Sequence, residues 1–107
     1  MATPRTLINV PAARSGEIIE IRATIAHVME TGLRPDDQGR VVARDIVTRF
    51  ECRLDGATVF AADMFPAVAA NPHVAFRLRA EKPGSLVFLW EGDRGFRHTE
   101  TVALKVT

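Results

Sequence analysis

The sequence predicts an all-β fold, an antiparallel β-sandwich of about seven strands and of immunoglobulin-like type. Three observations predict it. Short runs of alternating apolar and polar residues recur along the chain, the period-2 pattern of strands with one face in a core. Turn signals built from Gly, Pro, Asn and Asp separate these runs at close intervals. No stretch carries the apolar period of a long amphipathic helix. Short strands punctuated in this way build sandwiches or small antiparallel barrels, and the barrel is the competing architecture.

The elements follow in order. Leu7-Ile8-Asn9-Val10 reads as a short first strand stopped by Pro11. After a turn at Ser15-Gly16, the odd positions Ile19, Ile21, Ala23, Ile25 and His27 alternate with Glu20, Arg22 and Thr24, a second strand with one wet face. In the third strand Ile46, Thr48, Phe50, Cys52 and Leu54 fall on one face, and Val47, Arg49, Glu51 and Arg53 on the other. Asp55-Gly56 is the two-residue signal of a type I′ hairpin, so Thr58-Val59-Phe60-Ala61 pairs back on it. Met64 to Pro72 is an apolar connection with room for one helical turn at most. Val74, Phe76, Leu78 and Ala80 alternate with Arg77 and Arg79 in the fifth strand. Leu86, Phe88 and Trp90 face one way in the sixth, and Val102, Leu104 and Val106 mark the seventh, after a turn at 91–95. The tight hairpin places strand four beside strand three. The predicted sheets are therefore strands one, two and five against strands three, four, six and seven, with Phe50, Cys52, Phe76, Phe88 and Trp90 in the core.

At 107 residues the chain reads as a single domain, 1–107, long enough to bury one core without disulfide or metal staples. A net charge of +1 gives no overall field, which argues against bulk attraction to nucleic acid or an anionic membrane. No run approaches the roughly 18 consecutive apolar residues of a membrane span. Met1 to Thr6 lacks the apolar core of a secretory signal, which taken alone says cytoplasm. The single Cys excludes an internal disulfide framework and a multi-thiolate metal site. Twelve of the fourteen basic residues are Arg, a bias of composition or a mark of protein interfaces.

The stretch Ile25 to Gly56 organises the rest. Its polar loop, Glu30 to Arg40, is too long for a simple hairpin turn, and loops of this length in a compact domain tend to be functional or disordered. Cys52 invites a reading as nucleophile or redox thiol, but its parity with Phe50 and Leu54 puts it in the core as an unreactive thiol. His27, His73 and His98 with Met29, Met64 and Cys52 lack the tight spacing of a copper centre; only His27 and Met29 make a close pair. Glu30, Asp36, Asp37 and Asp45 are interrupted by Arg34, Arg40 and Arg44, which suits a loop laced with ion pairs better than a calcium loop. No nucleophile elbow, phosphate-cradling Gly-rich loop or paired-carboxylate motif appears, so the sequence argues against an enzyme. Arg49, Arg53, Arg77 and Arg79 lie on outward strand faces, either solvated or part of an interface.

The ordered string of these features resembles one family. It comprises His27-Val28-Met29-Glu30-Thr31-Gly32, Arg34 with Asp36 and Gly39, Arg44 with Ile46-Val47, and Phe50-Glu51-Cys52. It continues through Asp55-Gly56, Ala70-Asn71-Pro72, Phe76, Pro83-Gly84, Phe88 with Trp90, and Asp93-Arg94-Gly95. The chain is similar to SoxZ, the small subunit of the SoxYZ carrier complex of bacterial thiosulfate oxidation. That resemblance implies an immunoglobulin-like sandwich, a non-catalytic role and a heterodimer with a SoxY subunit of related fold. SoxY carries the reactive Cys on a flexible Gly-Gly-Cys-Gly-Gly arm, whereas this sequence ends Leu104-Lys105-Val106-Thr107. The resemblance further implies contact with other sulfur-oxidation enzymes through the complex, no cofactor, and export to the periplasm bound to SoxY, against the cytoplasmic reading. The expected partner interface is His27, Met29, Glu30, Arg34, Arg44 and Arg49 with exposed strand residues. The alternatives are a metal-binding or redox sandwich using Cys52, His27 and Met29, and a stand-alone domain that pairs with itself.

Overall fold

A computed structural model of the chain describes residues 3–107. Its strands are β1 (Thr6–Asn9), β2 (Glu17–Ile25), β3 (Val47–Leu54), β4 (Ala57–Asp63), β5 (His73–Ala80), β6 (Gly84–Gly92) and β7 (Arg97–Leu104). They form two antiparallel sheets, ordered β1-β2-β5 and β4-β3-β6-β7. Both the seven strands and their division between sheets agree with the sequence-based expectation.

Each strand earns its place by alternation. On β2 the side chains of Ile19, Ile21, Ala23 and Ile25 are buried while Glu20 and Arg22 are exposed. On β5 Val74, Phe76 and Ala80 turn inward opposite them. The expected core residues Phe50, Cys52, Phe88 and Trp90 are wholly buried, and Phe76 nearly so. Phe50 is the hub, with ring centroids 5.3 Å from Trp90, 6.2 Å from Phe88 and 6.3 Å from Phe76 across the sandwich. Burying an aromatic of this size contributes roughly 1.5–3 kcal/mol, so this cluster fixes how the two sheets face each other. Phe60 stacks flat on Phe76 at 4.6 Å and closes the β4/β5 side.

Asp55 and Gly56 both adopt positive φ (48° and 89°), the geometry of the expected type I′ turn. The parity predicted for β3 fails at its start. The register between β3 and β6 slips between Val47 and Arg49, so Ile46 and Val47, expected on opposite faces, are both fully buried. Gly92 stands opposite this irregularity, where an added Cβ would sit 2.5 Å from the Ile46 carbonyl oxygen. The close approach needs Gly. The connection 64–72 holds turns but no helix.

The registers put β1, β3, β5 and β7 starting, and β2, β4 and β6 ending, at the same end of the sandwich. That end carries the connections 26–46, 64–72 and 93–96, whereas the opposite end carries only 10–16, 55–56 and 81–83. Long connections are thus segregated to one end, as they are in domains that bind through their loops.

Candidate functional site

The loop end is built around an arm. The polar stretch expected as a loop is an irregular hairpin, because its backbone groups pair across it. Glu30 and Asp45 exchange two N–H to C=O bonds of 2.8 Å, the Val42 N–H donates to Arg34 O at 2.8 Å, and the Asp36 N–H donates to Arg40 O at 2.6 Å. Between these bonds Thr31-Gly32-Leu33 face only Ala43-Arg44, so the two sides are out of step by one residue. At the tip the Asp36 Oδ1 accepts from the N–H groups of Gln38 and Arg40, both at 2.9 Å, a side-chain-stabilised turn. Arg34 clasps Glu30 at 2.7 Å and holds its carboxyl below the usual carboxylate range. A nine-residue strand is about 30 Å long, so the 58 Å long axis of the molecule is set in part by what projects past the strand ends.

The base of the arm is tied down from three sides. The Asp93 Oδ1 accepts from Arg44 Nη2 at 2.8 Å and its Oδ2 from the Ile46 N–H at 3.1 Å. The Arg44 bond is the main reason its carboxyl titrates low. His27 Nδ1 accepts from the Met29 N–H at 3.0 Å, which places the neutral ring's proton on Nε2, 3.7 Å from Asp45. The His27 ring meets Phe96 edge-on at 4.9 Å. The Met29 sulfur accepts from the Val47 N–H at 3.2 Å.

Of the expected interface, Glu30, Arg34, Arg44 and Arg49 therefore remain within reach of a partner, whereas His27 and Met29 do not. The His27 side chain is 7 % exposed and Met29 is 4 % exposed. The odd positions that point inward along β2 continue through His27 to Met29, so both side chains stay on the core side, Met29 with a left-handed φ of 52°. Nor do Cys52, His27 and Met29 come together. Met29 touches Val47, five residues and roughly 15 Å along β3 from Cys52. Burial pushes the Cys52 thiol up to about 12, far from a reactive thiolate. Among the described residues no three His, Cys, Asp or Glu side chains are grouped as a metal would need.

The sequence did not point to the apolar surface of this end. Among the described residues the exposed large hydrophobic side chains are Leu7, Ile18, Val28, Leu33, Val41 and Phe65. Leu33 and Val41 sit on the arm, Val28 at its base and Phe65 on the neighbouring connection. Leu7 is one residue into β1 at the same end, and only Ile18 is elsewhere. Leu33 is 82 % exposed. Among the described residues with positive φ that are not Gly, Met29, Asn71 and Arg94 are at the loop end and Asp55 at the other; Asp55 and Arg94 sit in short hairpin turns and Asn71 in a bend. The available signal was the presence of Leu33 and Val41 inside an otherwise polar loop.

A second face is the outer surface of the larger sheet. Glu51, expected there as a solvated residue, is 7 % exposed because its neighbours lie over it. Its Oε2 accepts from Arg53 Nε at 2.7 Å and from the Thr58 hydroxyl at 2.5 Å, and Arg49 stands 3.7 Å from Oε1. The Arg53 and Thr58 bonds lower its carboxyl to about 2. Arg49 also pairs with Asp63 at 3.1 Å, so the row is an internally neutralised network and not a field of free cations.

With this geometry in view, residues 8–103 match the family described as "Sulphur oxidation protein SoxZ". The chain belongs to the SoxZ family. The match takes in every strand from β2 to β6, the arm, the second half of β1 and all of β7 but Leu104. No curated protein matches the chain. Among solved structures, SoxZ-like architecture recurs in superoxide reductase (neelaredoxin) from Ignicoccus hospitalis. The T24K variant of that protein superposes with a TM-score of 0.76 at 16% identity, covering 99% of this chain and 83% of that one. Its E23A variant gives 0.76 at 17% identity, covering 99% and 82%. The protein without a stated substitution gives 0.73 at 17%, covering 99% and 81%. At such identity the likeness is one of fold. Membership in the SoxZ family associates the chain with sulfur oxidation.

Proposed function

We propose that this chain is the non-catalytic subunit of a SoxYZ-type carrier complex. It pairs with a SoxY-like subunit, stabilises it, and helps present the partner's cysteine arm to the enzymes that load and process bound sulfur. The complex acts in the periplasm, reached by export together with the partner, as the family resemblance suggests. One observation carries the reading: exposed apolar side chains, which a solitary soluble domain scatters singly, are concentrated at the loop end, on and beside the arm. Ion-paired Arg34 and Arg44 flank them, an apolar centre with a polar rim of the kind protein interfaces use. The interior position of Cys52 leaves covalent chemistry to the partner.

Light scattering on a sizing column tests this, with the chain alone and mixed with a SoxY-like subunit encoded in the same genome. The expected result is a one-to-one complex. A chain that stays a monomer and ignores the partner at tens of micromolar overturns the proposal.

A further inference from the structure

Beside the arm, at the same end, a groove of about 290 Å³ is lined by Arg5, Thr6, Leu7, Thr24, Ala26 and Asn71. Its chemistry is one-sided. No carboxylate is among these lining residues, and the hydroxyl of one of them, Thr6, is spent on Glu100 at 3.0 Å. Among the described residues the Arg5 guanidinium makes no salt bridge, a condition it shares with Arg14, Arg40, Arg77, Arg79 and Arg94, but of these six only Arg5 lines this groove.

Asn71 adds an oriented donor. Its Oδ1 accepts from the His27 N–H at 2.9 Å, and a backbone N–H can be met only by the amide's oxygen, which fixes the amide's orientation. The Asn71 N–H in turn donates to His27 O at 2.7 Å, so residue 71 is held at both its backbone and its side chain. Its left-handed φ of 54° is one that Asn tolerates well. Among the described residues the amide NH2 of this groove-lining side chain has no protein acceptor. Thr24 also lines the groove, its hydroxyl 2.7 Å from His73 Nδ1.

We propose that this groove binds a small inorganic oxyanion, with the Arg5 guanidinium and the Asn71 NH2 as its principal donors. Both residues line the same groove; a forked guanidinium and an oriented amide can together serve oxygens of a tetrahedral anion, and charge-assisted bonds of this type are the stronger ones. The inference is independent of the pairing proposed above, since it concerns the isolated chain.

The test is a two-dimensional NMR titration of the isotope-labelled chain with sodium sulfate, against sodium chloride at matched ionic strength. Saturable shifts are expected at the Asn71 side-chain NH2 and the Arg5 Nε–H with sulfate and not with chloride. Arg5→Gln is expected to weaken binding at least tenfold, one charge-assisted bond's worth. Asn71→Asp keeps the oxygen that accepts from His27 and the tolerance of left-handed φ, but turns the donor into a negative acceptor, and is expected to abolish binding. Arg94→Gln, in the neighbouring cleft of His27, Asp45 and Phe96, serves as a control expected to bind normally. Shifts that never saturate, that appear equally with chloride, or that survive in Arg5→Gln overturn the proposal. So does a groove that takes acetate but not sulfate, which would assign it to a carboxylate.

Discussion

Leu33→Ser with Val41→Ser removes the apolar content of the arm without touching its hydrogen bonds. Leu33 is 82 % exposed and Val41 65 % exposed, so in the free chain neither contributes much burial. Fully burying side chains of this size is worth roughly 1.5–3 kcal/mol each. Scaled by the fraction each still has to bury, the pair offers about 2–4 kcal/mol to a partner that covers it. The double variant is therefore expected to weaken the complex with a SoxY-like subunit by about 30- to 700-fold. Its melting temperature should stay within a degree or two, because exposed substitutions rarely move stability by more than about 0.5 kcal/mol. Isothermal titration calorimetry gives the affinity and differential scanning calorimetry the stability. An unchanged affinity in a folded variant would refute the assignment of the arm as the interface. A large loss of melting temperature would instead mean that the two side chains pack at home.

Two further outcomes check the interior and the second face. With its thiol pushed from the usual 9.0 to about 12, Cys52 carries about 1,000-fold less thiolate at neutral pH than an unperturbed cysteine. Its reaction with a water-soluble disulfide reagent should be slower by at least that factor in the folded chain and normal in denaturant; rapid labelling of the folded chain contradicts the burial. Glu51, held at about 2 against an ordinary 4.5, favours the folded state only while ionised. That stabilisation is complete above pH 4.5 and is lost as the pH falls from about 4.5 to 2. Glu51→Gln should therefore melt lower than the parent at pH 7 and level with it near pH 2; a gap that persists at pH 2 would place the effect elsewhere.

The sandwich was legible because its strands obey local rules. Alternation on β2 and β5 and the Asp55-Gly56 pair carry information within a few residues, and these fixed strand number, pairing and sheet membership. What the sequence hid depends on backbone that breaks the alternation. Val47 went to the wrong face because the slip between Val47 and Arg49 answers to Gly92 on another strand. His27 and Met29 were expected at the interface because they lead the conspicuous polar loop, although the odd-position parity of β2 already carried both toward the core. The arm looked like a loop because cross-chain bonds between backbone groups, not side-chain periodicity, hold it. Glu51 is a milder case. The order Arg49, Glu51, Arg53 on one strand face already carried the alternating charge that shields the carboxylate, and it could have been read.

The isolated parallel bridge between Ala13 and Val106 has a kinetic consequence. The Ala13 N–H donates to Lys105 O at 3.0 Å, and the Thr107 N–H donates back to Ala13 O at 3.0 Å. These contacts join residues more than ninety positions apart, whereas the β3–β4 hairpin closes over two. Loop-closure entropy lets the hairpin form early and leaves this seam to the final stage of folding. It follows that this seam, at the end opposite the arm, can open without disturbing the sheets, so the bonded amides of Ala13 and Thr107 are expected to exchange sooner than those within the strands.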